Sequence, residues 1–363
     1  MAELIYGFMN LADIAIKRAI TIDYTQLQSA VITSVQLHDQ LINEVLGLFT
    51  EETQLNQAKY RGGIPATENQ PLDEFGRSRK IKGREFYTAG FPIFSSGNAR
   101  GYNFVTNQKM TVQQYNDILY SLFQGDVQWV RNRLFASLFI NTERTYDDPN
   151  TEEGEITVLP LANGDGVKYA DIYQNTNTDN HYLGFNNPID DSNNPFPTLW
   201  QEIIEHPGND GEVVSLVASD VYQTDATHGV HALTNFTEIA RQHIIQPITE
   251  RRVDTTIIPG FNIPFRALVR GIVDRQWIVE WPSLPSGYGI TLTTNGPKPL
   301  RRRVDPEPEL QGFKPVATRD DFPYFDEQWI RRLGFGAWNR VGVVVWRVGG
   351  AYQVPAKYQN MRW

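Results

Sequence analysis

Apolar positions recur at two different periods along this chain, and each change of period marks an element. Between residues 24 and 49, Leu27, Val31, Val35, Leu41, Ile42, Val45 and Leu46 fall mostly three or four apart, the spacing of one apolar stripe on a helix. Gly47 stands where that stripe fades. Over residues 51–110 the period is lost, and Gly62, Gly63, Pro65, Pro71, Gly76, Gly83, Gly90, Pro92, Gly97 and Gly101 punctuate the segment. Within it, Glu85–Phe94 is rich in aromatic and β-branched residues. It predicts a strand paired, across the basic stretch RSRKIKGR, with the residues around Leu55–Ile64. A segment of about 60 residues with so little core-forming pattern exceeds normal loop lengths inside a compact domain. Such a two-stranded arm is expected to find its contacts on another molecule.

Thr111 and Gln114 form a T-x-x-Q capping box, in which hydroxyl and amide each satisfy an orphan backbone N–H, so a helix starts there. Tyr115, Ile118, Leu119, Leu122, Phe123, Val127, Val130, Leu134, Phe135 and Leu138 keep helical spacing for about 30 residues, far beyond the usual helix of about 11–12. The predicted end is near Asp147-Asp148-Pro149, because proline restricts the residue before it. From Gly154 to Tyr173 apolar and polar residues alternate around Asn163-Gly164-Asp165-Gly166, which predicts one β-hairpin turning at that tetrapeptide. Pro197–His206 opens a short helix, Glu212–Ala218 is a nearly continuous apolar run typical of a buried strand, and a further helix is expected around Leu233–Ile245. Arg270–Trp281 and Ile290–Thr294 predict strands on either side of the turn Pro282–Gly289. A Pro-rich, charged connection spans 295–325, and Ala337–Trp346 and Tyr352–Val354 predict closing strands. No repeat of 20 to 50 residues interrupts this order, which argues against solenoids and propellers.

Composition removes several classes of chemistry. There is no cysteine, so disulfides, thiolate zinc sites and a cysteine nucleophile are all excluded. The start, MAELIYGFMNLADIAIKRA, lacks the basic and apolar regions of a signal peptide, and no run approaches the roughly 18 apolar residues of a membrane span. A soluble, unexported chain is expected. Its net charge of -9 disfavours adhesion to nucleic acid, which needs a surplus of Lys and Arg on the contacting face. The two basic clusters, Arg77–Arg84 and Arg301–Arg303, are expected on solvated or intersubunit salt-bridging faces.

Catalytic constellations are missing. Of six histidines, His228 and His231 form the close pair, with Asp220 or Asp225 as nearby third ligands, but Gly229 between them and the lack of an H-E-x-x-H pattern favour a surface turn. Gly164 and Gly166 lack the remainder of a phosphate-binding loop, and no G-x-S-x-G elbow occurs. The adjacent carboxylate pairs Asp147/Asp148, Glu152/Glu153, Asp190/Asp191 and Asp320/Asp321 predict solvated turns. The late aromatics Trp346, Tyr352, Tyr358 and Trp363 are expected to fill a sheet and its interfaces in preference to forming a stacking platform. The chain is thus expected to be no enzyme, with no cofactor and no metal.

The order of elements resembles that of the major capsid proteins of tailed bacteriophages, the Hong Kong 97-like fold, over nearly the whole chain. Local stretches carry the likeness: Val213–Tyr222 resembles the family's buried strand turning into a helix, Arg270–Gly289 its strand, proline turn and next strand, and Val344–Pro355 its C-terminal strand and following proline. The resemblance implies an α+β fold divided into an N-terminal arm with helix (1–50), an extended E-loop hairpin (51–110), a peripheral domain with spine helix and β-hairpin (111–185), an axial domain (186–300) and return strands (301–363). It implies a subunit that assembles with itself into hexamers and pentamers of an icosahedral head around double-stranded DNA, with portal, scaffold and decoration proteins as further partners, weak non-specific contact with the packaged DNA, and no membrane. Assembly would occur in the host cytoplasm and the product would be the virion. Under this reading Arg77, Arg79, Lys80, Lys82, Arg84, Phe86, Tyr87, Phe91 and Phe94 of the E-loop contact neighbouring subunits. A cellular encapsulin-like nanocompartment shell shares the topology, and a carbohydrate-binding or hydrolytic α/β protein is the rival outside it.

Overall fold

The computed structural model describes residues 24–61, 72, 74–77, 86–103, 109–148, 154–173, 176–239, 258–264, 266–321, 324–359 and 361. The chain divides into two units. One takes residues up to Leu46, Ile93–Leu134 and Arg303–Gly334; the other takes Gly47–Pro92, Phe135–Arg302 and Phe335–Trp363.

The first unit is built on helix α1 (Tyr24–Phe49), most of helix α2 (Val112–Phe139) and the strands β4 (Phe94–Asn103), β16 (Lys314–Asp321) and β17 (Tyr324–Ala337). The capping box forms as the sequence predicts: the Thr111 N–H donates to Gln114 Oε1 at 3.0 Å and the Gln114 N–H to Thr111 Oγ1 at 3.2 Å. β17 is the middle strand, with β16 on one side and β4 on the other in a ten-pair antiparallel register from Tyr324↔Asn103 to Leu333↔Phe94. The apolar stripes of both helices close on it, so that Ala30, Val31, Tyr115, Leu119, Leu122, Phe313 and Trp329 make one core.

α2 ends at Phe139, eight residues before the predicted proline boundary, and Arg144–Asp147 is instead strand β5. The reason lies in its surroundings. Every residue from Leu134 to Ile140 is buried, so this stretch is enclosed on all sides, and beyond it the alternation Arg144-Thr145-Tyr146-Asp147 suits a half-exposed strand.

The second unit holds a seven-stranded sheet in the order β11 (Phe236–Glu238), β12 (Leu268–Val273), β13 (Gln276–Glu280), β10 (Asp210–Val217), β14 (Tyr288–Asn295), β18 (Val343–Val348), β9 (Tyr182–Phe185). The run Val213–Val217 occupies the centre, buried on both faces, parallel to β13 and antiparallel to β14. Helix α3 (Phe196–Ile204) buries Phe196, Leu199 and Ile203. Around α2's last turns, Phe135 meets Trp281 edge-on at 5.2 Å, and Phe139 stacks on Tyr358 at 6.1 Å. Trp346 and Tyr358 therefore fill the core, as expected of the late aromatics.

Four expectations change in this unit. The Asn163–Gly166 tetrapeptide is not a hairpin tip. β6 (Glu155–Val158) pairs back with β5, and β7 (Asn163–Ala170) pairs forward with β8 (Thr176–Asn180), giving two hairpins. Gly164 and Gly166 have positive φ, but they spend it on a bulge between the pairs Asn163↔Asn180 and Lys168↔Thr178. The fully buried Arg340 holds this bulge, donating from Nε to Pro160 O at 2.7 Å and from Nη2 to Leu161 O at 3.0 Å, with Asp165 as its ion partner at 2.8 Å. The second change is at Leu233–Ile245, where residues 233–239 follow a 3-10 turn at Val230–Ala232 and form a turn and strand β11 in place of a helix; Thr234 is tied to Asp191 and Asn235 to Asp274, side-chain bonds that compete with helix formation. Residues 240–245 lie outside the described residues.

Third, Arg270–Trp281 is a hairpin of two strands with Asp274 at φ 50 in its turn, not one strand. Fourth, Arg301–Arg303 is not a solvated face: it belongs to β15 (Leu300–Arg303), with Arg302 and Arg303 buried. Arg302 pairs with Glu52 of β1 (Thr50–Thr53), and the Arg301 guanidinium lies 4.5 Å from the Trp338 ring. Of the closing strands, β18 forms, while residues 352–354 carry no strand. No helix among the described residues is long and apolar enough to cross a membrane.

Candidate functional site

The arm predicted from sequence begins as a hairpin. β2 (Gln57–Arg61) pairs antiparallel with β3 (Phe86–Gly90) in the register Tyr60↔Tyr87. Its base packs into its own unit: Ala89, Phe91 and Leu159 are buried together, with Ala58, Tyr60, Tyr87 and Trp338 against them. The Tyr87 hydroxyl donates to the Trp338 carbonyl, and burial pushes its pKa up to about 12. β4 leaves the hairpin and pairs along β17, so the later part of the 51–110 segment is not arm.

The predicted contact residues separate into three groups. Phe91 and Phe94 are 0% and 7% exposed within the chain, Phe94 lying under the Arg133 guanidinium at 4.3 Å, so neither has surface left for a neighbour to bury. This corrects the sequence expectation: the β-rich pattern that marked them as arm residues equally suits strand ends facing a core. Phe86 and Arg77 are exposed, and Tyr87 is half-buried. Arg79, Lys80, Lys82 and Arg84 lie outside the described residues. The structure adds Leu55, Leu72 and Phe75, which are 54%, 62% and 73% exposed. Large apolar side chains left in water along one segment mark an interaction surface more than scattered single ones do.

A second cluster was not singled out by sequence. His181, between β8 and β9, has its Nε2 3.0 Å from Asp179 Oδ2; His206, just after α3, has its Nε2 2.5 Å from the same oxygen; the two Nε2 atoms are 3.2 Å apart. Both rings are buried. Burial penalises the Asp179 carboxylate, but its bonds to the two histidines outweigh that and hold it well below the usual range. Glu202 and Glu205, which approach Asp179, are both pushed up, chiefly by burial. D-x-H at 179–181 places two ligand types on one side of an extended chain, yet nothing in the sequence ties them to a histidine 25 residues on. The pair that sequence did single out is not assembled into a site: half-buried His228 bonds Asp225 at 2.8 Å, and His231 bonds the Tyr222 carbonyl at 3.1 Å.

With these positions fixed, the molecule can be set beside solved structures. That of Mycobacterium phage Patience matches over 99% of this chain and 98% of its own, with a TM-score of 0.65 at 20% identity. The chain has that phage protein's fold. A Gordonia phage Cozz structure covers 85% of this chain and 87% of its own at 10% identity and a TM-score of 0.45. The bacteriophage PhiM1 mature capsid covers 86% and 84% at 10% identity and 0.43. By sequence, no family model and no curated protein matches the chain.

Proposed function

We propose that this chain is a major capsid protein with the Hong Kong 97-like fold, self-assembling into hexamers and pentamers of an icosahedral phage head that encloses double-stranded DNA. The observation that carries the reading is the end-to-end likeness to the Mycobacterium phage Patience chain. The element order supports it: N-terminal helix, extended hairpin, long spine helix, peripheral strands, a central mixed lobe and returning strands. The role is structural rather than enzymatic, exercised in the virion after assembly in the host cytoplasm. Portal, scaffold and decoration proteins are its further partners, and packaged DNA is held only by weak, non-specific contact, in keeping with a net charge of -9.

A closed shell of identical parts needs self-complementary edges and arms that lock neighbours together. In this reading the arm supplies one such lock through Leu55, Leu72, Phe75 and Phe86, with Arg77, Arg79, Lys80, Lys82 and Arg84 pairing acidic groups of the adjacent subunit. Each aromatic side chain fully buried by a neighbour contributes about 1.5–3 kcal/mol. Sedimentation and negative-stain imaging of the expressed chain test this: closed particles or rings of five and six subunits are expected, and a chain that stays monomeric at all concentrations overturns it. Deleting residues 66–82 should block particle formation while leaving a folded subunit.

A further inference from the structure

The buried Asp179–His181–His206 cluster has a hydrogen-bonding conflict that a cation resolves. His181 Nδ1 lies 2.9 Å from the Val343 carbonyl oxygen, and His206 Nδ1 lies 3.1 Å from that of Ala170. A carbonyl only accepts, so each Nδ1 carries a proton and each neutral ring turns the lone pair of Nε2 inward. With both rings neutral, two lone pairs and a carboxylate oxygen converge within 2.5–3.2 Å of one another, and Asp179 gains a donor only where a ring takes up a further proton. Protonating His206 alone supplies one donor to Asp179 but leaves the His181 Nε2 lone pair facing the same oxygen at 3.0 Å, and protonating both rings puts two imidazolium groups, 0% and 5% exposed, side by side on it.

One divalent ion satisfies all three atoms at once. Nδ1–H bonded to backbone carbonyl is how metal-bound histidines are oriented, with the tautomer fixed so that Nε2 is the ligand. Ligand atoms around a tetrahedral zinc, at about 2.0–2.1 Å from the metal, sit roughly 3.3 Å apart. The 3.0 and 3.2 Å separations are already near that value, and the 2.5 Å contact opens on binding. A fourth position is at hand, since Glu205 Oε1 is 3.8 Å from His206 Nε2, and Asp179, Glu202 and Glu205 present carboxylate oxygens within 4.8 Å of one another. Nitrogen ligands disfavour calcium and magnesium and select a borderline transition metal.

We propose that Asp179, His181 and His206, completed by Glu205 or Glu202, bind one divalent transition-metal ion of zinc type as a structural centre. The ion pins the β8–β9 corner to the end of α3, segments of one unit that no disulfide can join in a chain without cysteine. All its intended protein ligands come from this chain, so the site is complete in the isolated subunit and does not depend on assembly.

The test uses untagged full-length chain, stripped with chelator and titrated with Zn²⁺ and, separately, Co²⁺. The expected result is one equivalent bound, tetrahedral ligand-field absorption with Co²⁺ that Zn²⁺ abolishes, and a melting midpoint raised by about 3–6 °C at saturating Zn²⁺. His206→Gln should weaken binding by more than about 100-fold, the loss that even second-sphere partners of a zinc ligand reach, and should remove the thermal shift. His228→Gln, at the separate His228/His231 pair, should change neither. Wild-type chain that takes up no Zn²⁺ or Co²⁺ overturns the proposal without reference to any variant, and so does binding that survives in His206→Gln or vanishes in His228→Gln.

Discussion

Arg331 is 4% exposed, and its guanidinium is shared by two carboxylates. Nε lies 2.8 Å from Asp126 Oδ1 and Nη2 2.5 Å from Asp39 Oδ1, while Asp126 Oδ2 is also 2.8 Å from His38 Nε2. Removing Asp126 leaves the buried guanidinium with Asp39 alone and takes the partner from His38. Asp126→Ala should therefore cost about 3–5 kcal/mol, read as a lower midpoint in urea denaturation. Tyr87 gives a second prediction at this scale. Burial raises its folded pKa above the unfolded value, with Arg340 opposing and Tyr60 adding to it. An acid held neutral by the fold contributes stability that is present below its unfolded pKa and lost as pH rises through its folded pKa. Unfolding free energy should accordingly decline between pH 10 and about 12, and Tyr87→Phe should flatten that decline in a pH series of melts. At this scale the sequence was least legible. Arg302 and Arg303 were expected on a solvated or intersubunit face, and nothing local marks Arg331 or Arg340 as buried; their burial rests on partners up to 292 residues away.

Among elements, those with a strong local signal formed where the sequence predicted them. The α1 stripe, the Thr111 capping box, the Pro197 helix start and the apolar run of β10 all carry their information within a few residues. Thr111→Ala should destabilise by about 0.5–2 kcal/mol, measurable by chemical denaturation without loss of the fold. Elements whose ends depend on distant partners were misjudged: α2 stops where enclosure stops, and the Asn163–Gly166 turn signal is absorbed in a bulge because Arg340 grips it. Close packing imposes a further rule that no propensity conveys. A Cβ at Gly289 of β14 would overlap the Trp346 indole on the neighbouring strand β18. Gly289→Ala should cost about 1–3 kcal/mol or more, seen as a lowered melting midpoint, whereas Gly164→Ala meets open space and pays only for its positive φ of 78.

For the whole molecule, the consequence of the proposed shell role is that assembly and folding separate experimentally. Phe75→Ser combined with Phe86→Ser alters two side chains that are 73% and 54% exposed, so the isolated subunit should keep its far-ultraviolet spectrum and melting midpoint. Particles should nevertheless fail to form in sedimentation, and wild-type-like shells from this double variant would remove the arm from the assembly contacts.

The sequence by itself determined the class and order of elements, because helical period, capping and turn chemistry act over short spans of chain. It also removed thiol chemistry outright. Only the tertiary structure decided that Phe91 and Phe94 are core rather than arm surface, that Arg302, Arg303, Arg331 and Arg340 are buried, and that Asp179 and His181 meet His206. Those outcomes depend on which distant segments come to lie beside each residue. Burial, ion pairing and ligand geometry are properties of that neighbourhood, and no local pattern encodes it.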